Sequence, residues 1–399
     1  MKINHAAILA GGLGKRLGKI TKKTPKPLIK INNLEFIKYL IFDLMKNDFK
    51  KIIILTNYKS HKFEKIFNKL NFPNTEIICL KEKKKLGTGG SIAQLKKFKK
   101  NFLVINGDSY LNFNLNKFLN IKKNCLAKMM LVKNLNYKTN SKLSNLNLTK
   151  DQKVQFSCNK IYMNAGVYLF KKQLINKLKI RNSSLENDIL PKLIKKKLID
   201  GLISKDDFID IGLKKNLKKA SSILKKSFKL KAILFDRDGT LNKNYGYVHD
   251  IKNFKWLKGS KEALTFLTFF KIKSLIITNQ SGIGRGFYSM KDFKILNKKI
   301  NKVLQTHMAK IDKFYCAPYY KFSKNKKYKK NFHLRKPNNG MILKAMNDFK
   351  LSKNNCFMVG DSYSDLIAAK KTKIHFYKKE NNSLFTQLMK NLYDFQFKT

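Results

Sequence analysis

Arginine is scarce in this chain. Of 86 basic residues among 399, only five are arginine: Arg16, Arg181, Arg237, Arg285 and Arg335. Acidic residues are few as well, 25 in all, which leaves a formal charge of +61. The five cysteines, Cys79, Cys125, Cys158, Cys316 and Cys356, stand at irregular intervals with no CxxC, a pattern that fits free thiols in a reducing cytoplasm. No run of about 18 uncharged apolar residues occurs, so no membrane span is expected. The opening MKINHAAILAGG lacks the apolar stretch and small-residue cleavage site of a signal peptide. The expectation is a soluble, cytoplasmic protein.

A charge of this size invites a nucleic-acid reading, because clustered cations release counterions from a phosphate backbone. Here the lysines are spread along the whole chain among Asn, Ile and Phe, the bias that an AT-rich genome imposes through its codons. No specific nucleic-acid partner is expected, since polyanion grooves avoid clustered carboxylates, although a basic surface draws in anionic substrates. The densest patch, KFSKNKKYKK at 321–330, reads as a solvated loop. Where lysine replaces arginine wherever either serves, the remaining arginines mark places that need a planar, bidentate fork.

The length sets a prior of two domains, and 43% hydrophobic with 12% aromatic residues suffices for two interiors. The spacing predicts a strand at 6–10 running into GGLG, a helix over 35–47, strands at 51–57, EIICL and 102–108, and a helix over 61–70 between them. Strands alternating with helices mean a parallel sheet covered on both faces. From 122 to 170 the pattern becomes strand-rich, suggesting an appended antiparallel portion, and a helix over 185–198 and the strand DFIDIG follow. A motif-free stretch at 220–231 separates this from a second alternation: strands at 232–236, 274–279 and 356–361 and a helix over 290–307. The fold class expected is α/β, two doubly wound domains at 1–224 and 230–399. Ligands of such sheets sit beyond the carboxyl ends of the strands, where Asp108, Asp236, Asn279 and Asp361 stand.

In the second half, LFDRDGTLN places Asp236 at a strand end and Asp238 two residues on. Carboxylates this close repel unless a cation intervenes. With Mg²⁺ bound, the first can attack phosphorus while the second handles the leaving group's proton. Downstream, ITNQSGIGRG supplies Thr278 and Asn279 to hold a phosphoryl group, LRKP supplies Lys336 to neutralise charge, and VGDSYSDL adds Asp361 and Asp365. The set resembles the haloacid dehalogenase superfamily over most of 231–370. More narrowly, DRDGTLNKNYGYVHD, NFKW, SGIGRG and RKP resemble the D-glycero-D-manno-heptose 1,7-bisphosphate 7-phosphatases, cousins of the histidinol-phosphate phosphatases. That resemblance implies Asp236 as nucleophile, Asp238 as general acid/base, Thr278 and Lys336 as phosphate ligands, and Mg²⁺ on Asp236, the Asp238 carbonyl and Asp361. It implies that Arg285 and Arg335 grip the substrate's other phosphate or its sugar; a loop salt bridge is the plainer reading of Arg285. Many relatives carry a CxH…CxC zinc loop before RKP. Here only Cys316 and His333 remain, too few for a four-coordinate site, so zinc is not expected.

In the first half, LAGGLGKRL followed by TPKPLIKI lets backbone N–H groups of Gly11 and Gly12 approach a triphosphate, with Arg16 and Lys26 stabilising charge as pyrophosphate leaves. LGTGG (Gly87, Thr88), NGD, NAG, LEND and FIDIG complete a resemblance to sugar-1-phosphate nucleotidyltransferases across residues 3–220. It implies Mg²⁺ held by Asp108 and Asp210, and Asn164, Gly166 and Glu186 around the sugar; a helix first-turn carboxylate is the plainer reading of Glu186. The resemblance is nearest to heptose-1-phosphate guanylyltransferases. Glu82 is placed to accept from a guanine edge, or is simply a solvated acid among lysines.

Together these expectations describe a bifunctional enzyme that acts on sugar phosphates and a nucleoside triphosphate, GTP favoured. It removes the 7-phosphate of a heptose bisphosphate through an aspartyl-phosphate and then makes GDP-heptose. The alternatives are another sugar or UTP, CTP or ATP, a histidinol-phosphate-type phosphatase, or a basic nucleic-acid-binding protein.

Overall fold

The computed structural model describes residues 3–68, 70, 72–134, 142–158 and 161–398. It divides the chain into two compact units, Met1–Phe228 and Lys229–Thr399.

In the first unit four parallel strands lie in the order Glu76–Lys81, Lys51–Thr56, His5–Leu9, Phe102–Asn106. The inner ones are near-continuous apolar runs, with Ala6, Ala7, Ile8 and Ile52, Ile53, Ile54, Leu55 fully enclosed, as strands covered on both faces require. The helices Phe36–Lys46 and Gly87–Ala93 are among those that cover them. The helix expected over 61–70 is shorter, Ser60–Phe67, and residue 69 lies outside the described residues.

Past Phe102–Asn106 the sheet continues through Tyr162–Phe170, which is antiparallel to it, then Ala127–Lys133, then Ile199–Ser204. The antiparallel portion is therefore part of the main sheet and not an appendage. Tyr168 and Phe170 belong to the same buried cluster as Val104 and Met129, so this strand is covered like its parallel neighbours. Residues 135–141 and 159–160 of that stretch lie outside the described residues. Most of the supposed linker at 220–231 is the end of a helix, Lys214–Ser227. Phe228 follows it and packs edge-on against Tyr39 and Phe42, at 5.5 and 4.7 Å between ring centroids.

The second unit is a five-stranded, all-parallel sheet in the order Lys313–Ala317, Lys273–Asn279, Ala232–Phe235, Cys356–Gly360, His375–Lys378. Its helices include Ser260–Phe269, Met290–Thr306, Gly340–Asp348 and Tyr363–Thr372. The lysine-rich loop at 321–330 is less free than expected: Ser323 is buried, and Tyr328 packs against Ile283, Tyr288 and Phe293. Among the described residues no helix is long and apolar enough to cross a membrane.

Both sheets reverse their strand order at the first strand, between His5–Leu9 and Phe102–Asn106 in one and between Ala232–Phe235 and Cys356–Gly360 in the other. Each reversal opens a crevice beyond the carboxyl ends of two neighbouring strands, and each crevice holds one of the candidate sites.

Candidate active sites

The first site begins where His5–Leu9 ends. Gly11 and Gly12 follow, and a side chain at Gly12 would meet open space. Gly14, which sequence reasoning passed over, is the position that needs glycine: φ is +65° and a Cβ would lie 2.8 Å from Thr21 Cγ2. The 3₁₀ turn Lys15–Leu17 then presents Arg16. Gly107 lies so close to the first strand that a Cβ there would meet the Leu9 carbonyl at 2.6 Å. This tight approach carries Asp108 to the glycine loop.

Asp210 arrives from another direction. The short strand Phe208–Asp210 pairs with Ser109–Leu111, placing Asp210 opposite Ser109, and Ile211 N–H donates to the Asp108 carbonyl at 2.9 Å. Lys26 donates to Asp108 Oδ2 at 2.7 Å. Burial, and then the Asp108 charge, raise the proton affinity of the Asp210 carboxyl; the Gly212 N–H, Lys26 and Arg16 oppose the rise. An all-oxygen pair whose charge the neighbouring cations do not fully balance fits a hard divalent ion such as Mg²⁺.

Facing this pair, a bulge in Tyr162–Phe170 between Asn164 and Tyr168 turns the strand. Gly166 has φ +72° and sits against Asn106, and its N–H donates to Asn164 Oδ1 at 2.9 Å. Across the cavity, Thr88 Oγ1 donates to Glu186 Oε2 and accepts from Leu185 N, both at 2.8 Å. Glu186 sits in a single π-type turn, Leu185–Ile189, ahead of the helix Leu190–Lys195, where one uninterrupted helix was expected. Such turns bulge a side chain outward and recur at functional sites.

Glu82 requires a correction. It is buried, and its carboxylate accepts from Asn57 Nδ2 at 2.9 Å, from Leu86 N at 3.1 Å and from the Ser91 hydroxyl. It is not a solvated acid: Oε2 ties the loop before Gly87 to Asn57, and Oε1 takes the Ser91 hydroxyl. Arg16, Lys26, Gly11, Gly12, Glu82, Gly87, Thr88, Asp108, Asn164, Gly166, Glu186 and Asp210 all line one cavity of about 620 Å³.

The second site is built around buried charged groups. Asp236 follows Ala232–Phe235, its N–H bonded to the Val359 carbonyl at 3.0 Å. Lys336 is buried and donates to Asp236 Oδ1 at 2.6 Å, to Asp365 Oδ1 at 2.5 Å and to the Ile277 carbonyl at 2.8 Å. Asp236, Asp361 and Asp365 each offer an oxygen within 4.8 Å of the others. Burial pushes the Asp236 carboxyl up to about 7; Lys336 pulls it down and Asp365 adds to the rise. Asp361 is raised for the same two reasons, burial and then Asp365. For Lys336, burial acts to lower the ammonium, and its two carboxylate partners outweigh that and raise it. The lysine therefore stays charged while the carboxylates remain under-neutralised, and the oxygens of Asp236 and Asp361 fit a hard divalent ion such as Mg²⁺. Asp365 is less available, because its second oxygen caps the helix Tyr363–Thr372 through Ser362. Gly239, at φ +89°, presses on Asp361 so closely that a Cβ would overlap the carboxylate.

Asp238 is held from three sides. Arg237 donates to both of its oxygens, Gln280 Nε2 to Oδ2 at 2.8 Å and Asn242 Nδ2 to Oδ1 at 2.9 Å. Arg237 lies beside the nucleophile candidate in sequence only: its buried guanidinium turns to Asp238, the Val248 carbonyl and Gln280. Gln280, which sequence reasoning missed, also donates to Thr278 Oγ1 at 2.8 Å and accepts from the Tyr288 hydroxyl.

Asn279 departs from the expectation that its amide holds phosphate. Nδ2 donates to the Lys336 carbonyl at 3.0 Å and Oδ1 accepts from Lys336 N at 3.1 Å, so the side chain is used to fix the lysine. Asp236, Asp238, Thr278, Asn279, Lys336 and Asp361 share a cavity of about 410 Å³. Arg285 and Arg335 do not line it. Arg285 stacks 3.8 Å above the centroid of the Tyr320 ring, and among the described residues it has no ion pair, so the salt-bridge reading fails. Arg335 is half-buried and its pKa is lowered by burial and then by the Arg285 charge. Arg335 Nη1 also donates to the Tyr319 carbonyl at 3.4 Å. Cys316 lies on Lys313–Ala317, its thiol pushed up to about 12 by burial against the pull of Arg237. His333 is exposed on the turn Phe332–Leu334.

Comparison with known proteins gives two family matches. The nucleotidyl transferase family matches residues 5–227, and the haloacid dehalogenase-like hydrolase family matches residues 326–378. The D-glycero-beta-D-manno-heptose-1,7-bisphosphate 7-phosphatase of Pasteurella multocida is 40% identical over 144 residues, 36% of this chain and 78% of that protein. The D-glycero-alpha-D-manno-heptose-1,7-bisphosphate 7-phosphatase of Burkholderia mallei is 40% identical over 140 residues, covering 35% and 74%. The D-glycero-alpha-D-manno-heptose 1-phosphate guanylyltransferase of Campylobacter jejuni is 35% identical over 212 residues, covering 52% and 95%.

Proposed function

The chain belongs to the nucleotidyl transferase family and to that of the heptose-1,7-bisphosphate 7-phosphatases, and from that premise we propose that it performs two consecutive steps on one seven-carbon sugar. In the cytoplasm, the second unit hydrolyses the 7-phosphate of D-glycero-α-D-manno-heptose 1,7-bisphosphate. The first unit then couples the remaining 1-phosphate to GTP, releasing pyrophosphate and GDP-heptose. The α anomer is chosen because the Campylobacter guanylyltransferase carries it in its name, and consecutive steps must share one anomer.

The observation that carries this reading is the cluster in which Lys336 joins Asp236 to Asp365 beside Asp361, on a chain whose other strand reversal holds Asp108 and Asp210. In the phosphatase unit, an Asp236 oxygen attacks the 7-phosphorus and the bond to the sugar oxygen breaks. Asp238 gives that oxygen its proton. Water then attacks the aspartyl-phosphate and yields its proton to Asp238, so phosphate leaves and both carboxylates return to their first state. Arg237, Gln280 and Asn242 hold Asp238 in place throughout. Thr278 and Lys336 bind the phosphoryl oxygens. In the nucleotidyltransferase unit, an oxygen of the sugar 1-phosphate attacks the α-phosphorus of GTP and the bond to pyrophosphate breaks, with Arg16 and Lys26 balancing the charge that builds on the leaving group. Gly11 and Gly12 bring backbone to the triphosphate, Gly87 and Thr88 shape the loop beside the base, and Asn164, Gly166 and Glu186 face the sugar. Magnesium bound at each carboxylate set would supply charge neutralisation at the reacting phosphorus.

The test is to incubate the chain with the bisphosphate, Mg²⁺ and each of GTP, ATP, CTP and UTP, and to identify the sugar nucleotide by mass. GDP-heptose from GTP alone is expected, and a product with another base or sugar overturns the substrate assignment. Asp236→Asn should abolish phosphate release while leaving pyrophosphate release from heptose 1-phosphate and GTP. Loss of both from a folded variant would sink the division of labour.

A further inference from the structure

The phosphatase cavity is walled almost entirely by polar side chains, with two exceptions, Tyr247 and Tyr288. Tyr288 is already engaged: its hydroxyl donates to Gln280 and its ring stacks on His249 at 4.7 Å. Tyr247 is not. Its hydroxyl has no hydrogen-bond partner among the described residues, and the residue remains 45% exposed.

The backbone at Tyr247 is left-handed, with φ +49°, a conformation that a bulky side chain adopts only when its surroundings enforce it. Three contacts do so. His249 Nδ1 lies 2.8 Å from the Tyr247 carbonyl. The Tyr247 ring rests on Gly282, where a Cβ would come within 2.9 Å of Cδ1. Phe287, itself 58% exposed, meets the ring edge-on at 4.8 Å. A strained, buttressed aromatic left in water at the edge of a charged cavity is a binding feature and not a core one.

We infer that Tyr247, backed by Phe287, is the ring platform of the phosphatase unit: an aromatic face on which the carbon face of a phosphorylated sugar packs while its phosphoryl group reaches Asp236. This rests on the function proposed above. It assigns sugar selectivity to a residue that takes no part in the chemistry. A compact phosphoryl compound without a ring, such as an acyl phosphate, bypasses the platform, and a sugar phosphate depends on it.

The experiment compares steady-state KM and kcat of the full chain on the heptose bisphosphate and on acetyl phosphate, for wild type, Tyr247→Gly, Tyr247→Phe and Phe287→Ala. Glycine accepts the left-handed backbone, so Tyr247→Gly removes the ring without adding strain. It should raise KM for the bisphosphate about tenfold, several times more than for acetyl phosphate, with the smaller change in kcat. Tyr247→Phe should recover most of the loss, and Phe287→Ala should fall between. Equal losses on both substrates, or a loss confined to kcat, would make Tyr247 a structural residue and overturn the inference, as would no loss on the bisphosphate. The substrate assignment is judged separately, on wild type. A chain that cleaves acetyl phosphate and another sugar phosphate overturns only that assignment, and the same comparison then applies to that sugar. A chain that cleaves no sugar phosphate overturns both.

Discussion

The two units solve a similar electrostatic problem in different ways. Each sets a lysine against an aspartate where its sheet reverses direction, Lys26 with Asp108 and Lys336 with Asp236, at 2.7 and 2.6 Å. In the first unit the aspartate keeps 26% of its side-chain surface and the cavity is the larger one. In the second, Lys336 keeps 3% and also binds Asp365, which is fully enclosed. The difference is the one that the two proposed reactions would need. A transfer between two bound ligands needs room for both and no nucleophile from the protein. A covalent route needs one carboxylate fixed in a dry place, and a fixed cation to hold it there.

Exchanging each lysine for methionine tests that contrast most strongly. Lys336→Met leaves two buried carboxylates without a counter-charge. It should lower phosphate release by roughly 10³-fold and destabilise the second unit by about 3–5 kcal/mol. Lys26→Met should lower pyrophosphate release by roughly 10²–10³-fold while destabilising the first unit by only about 1 kcal/mol. Trp256 is the one tryptophan of the chain, so its fluorescence during urea unfolding reports on the second unit, and calorimetry, which sees both units, follows the first. Equal destabilisation by the two substitutions would break the comparison.

Glycines give the next test. Gly239→Ala forces a left-handed backbone and a clash with Asp361; it should cost about 1–3 kcal/mol and abolish most phosphate release. Gly12→Ala meets open space, so stability should stay within about 0.5 kcal/mol. The methyl group then stands in the path of the triphosphate, and KM for GTP should rise. An unchanged KM would remove the glycine loop from the nucleotide site.

The smallest effect concerns stability and pH. Asp312 accepts from Lys273 at 2.9 Å and from Ser274 N at 3.1 Å. Burial acts to raise its carboxyl; the Lys273, Ser274 and Lys310 bonds outweigh it, and the pKa is lowered. A lowered folded-state pKa stabilises above the unfolded value and loses that contribution as pH falls through the folded one. Asp312→Asn should therefore cost about 1 kcal/mol at pH 7, the exposed lysines being screened. The gap to wild type in the Trp256 signal should close as the pH is lowered through the acid range.

What could be read from the sequence was whatever lies within a few residues of a strand end. Asp108, Asp236 and Asp361 follow apolar runs of five or so residues, and a parallel sheet leaves only one place for them. The pairings across the chain were not legible. Nothing near Glu82 says that Asn57 and Ser91 will close on it, and nothing near Asn279 says that the Lys336 backbone, 57 positions away, will take both ends of its amide. Gln280 was hidden for a different reason. It sits inside a motif read for its neighbours, and only the fold shows it touching Asp238, Thr278 and Tyr288. The stretch 122–170 was legible as strand-rich, but whether its strand Tyr162–Phe170 joins the main sheet depends on which edge lies uncovered, a property of the assembled layers.

Arg237 shows what the chain's drift toward lysine cannot reach. Its guanidinium spans two carboxylate oxygens, a backbone carbonyl and an amide oxygen from a position that is 1% exposed. A lysine would bring one nitrogen here, whereas Nε and Nη2 both reach Asp238 in a planar fork while Nη2 also meets Val248 and Gln280. A genome that rewrites arginine codons one by one must stop at this position, so the fold itself sets a lower limit on how far the composition can move.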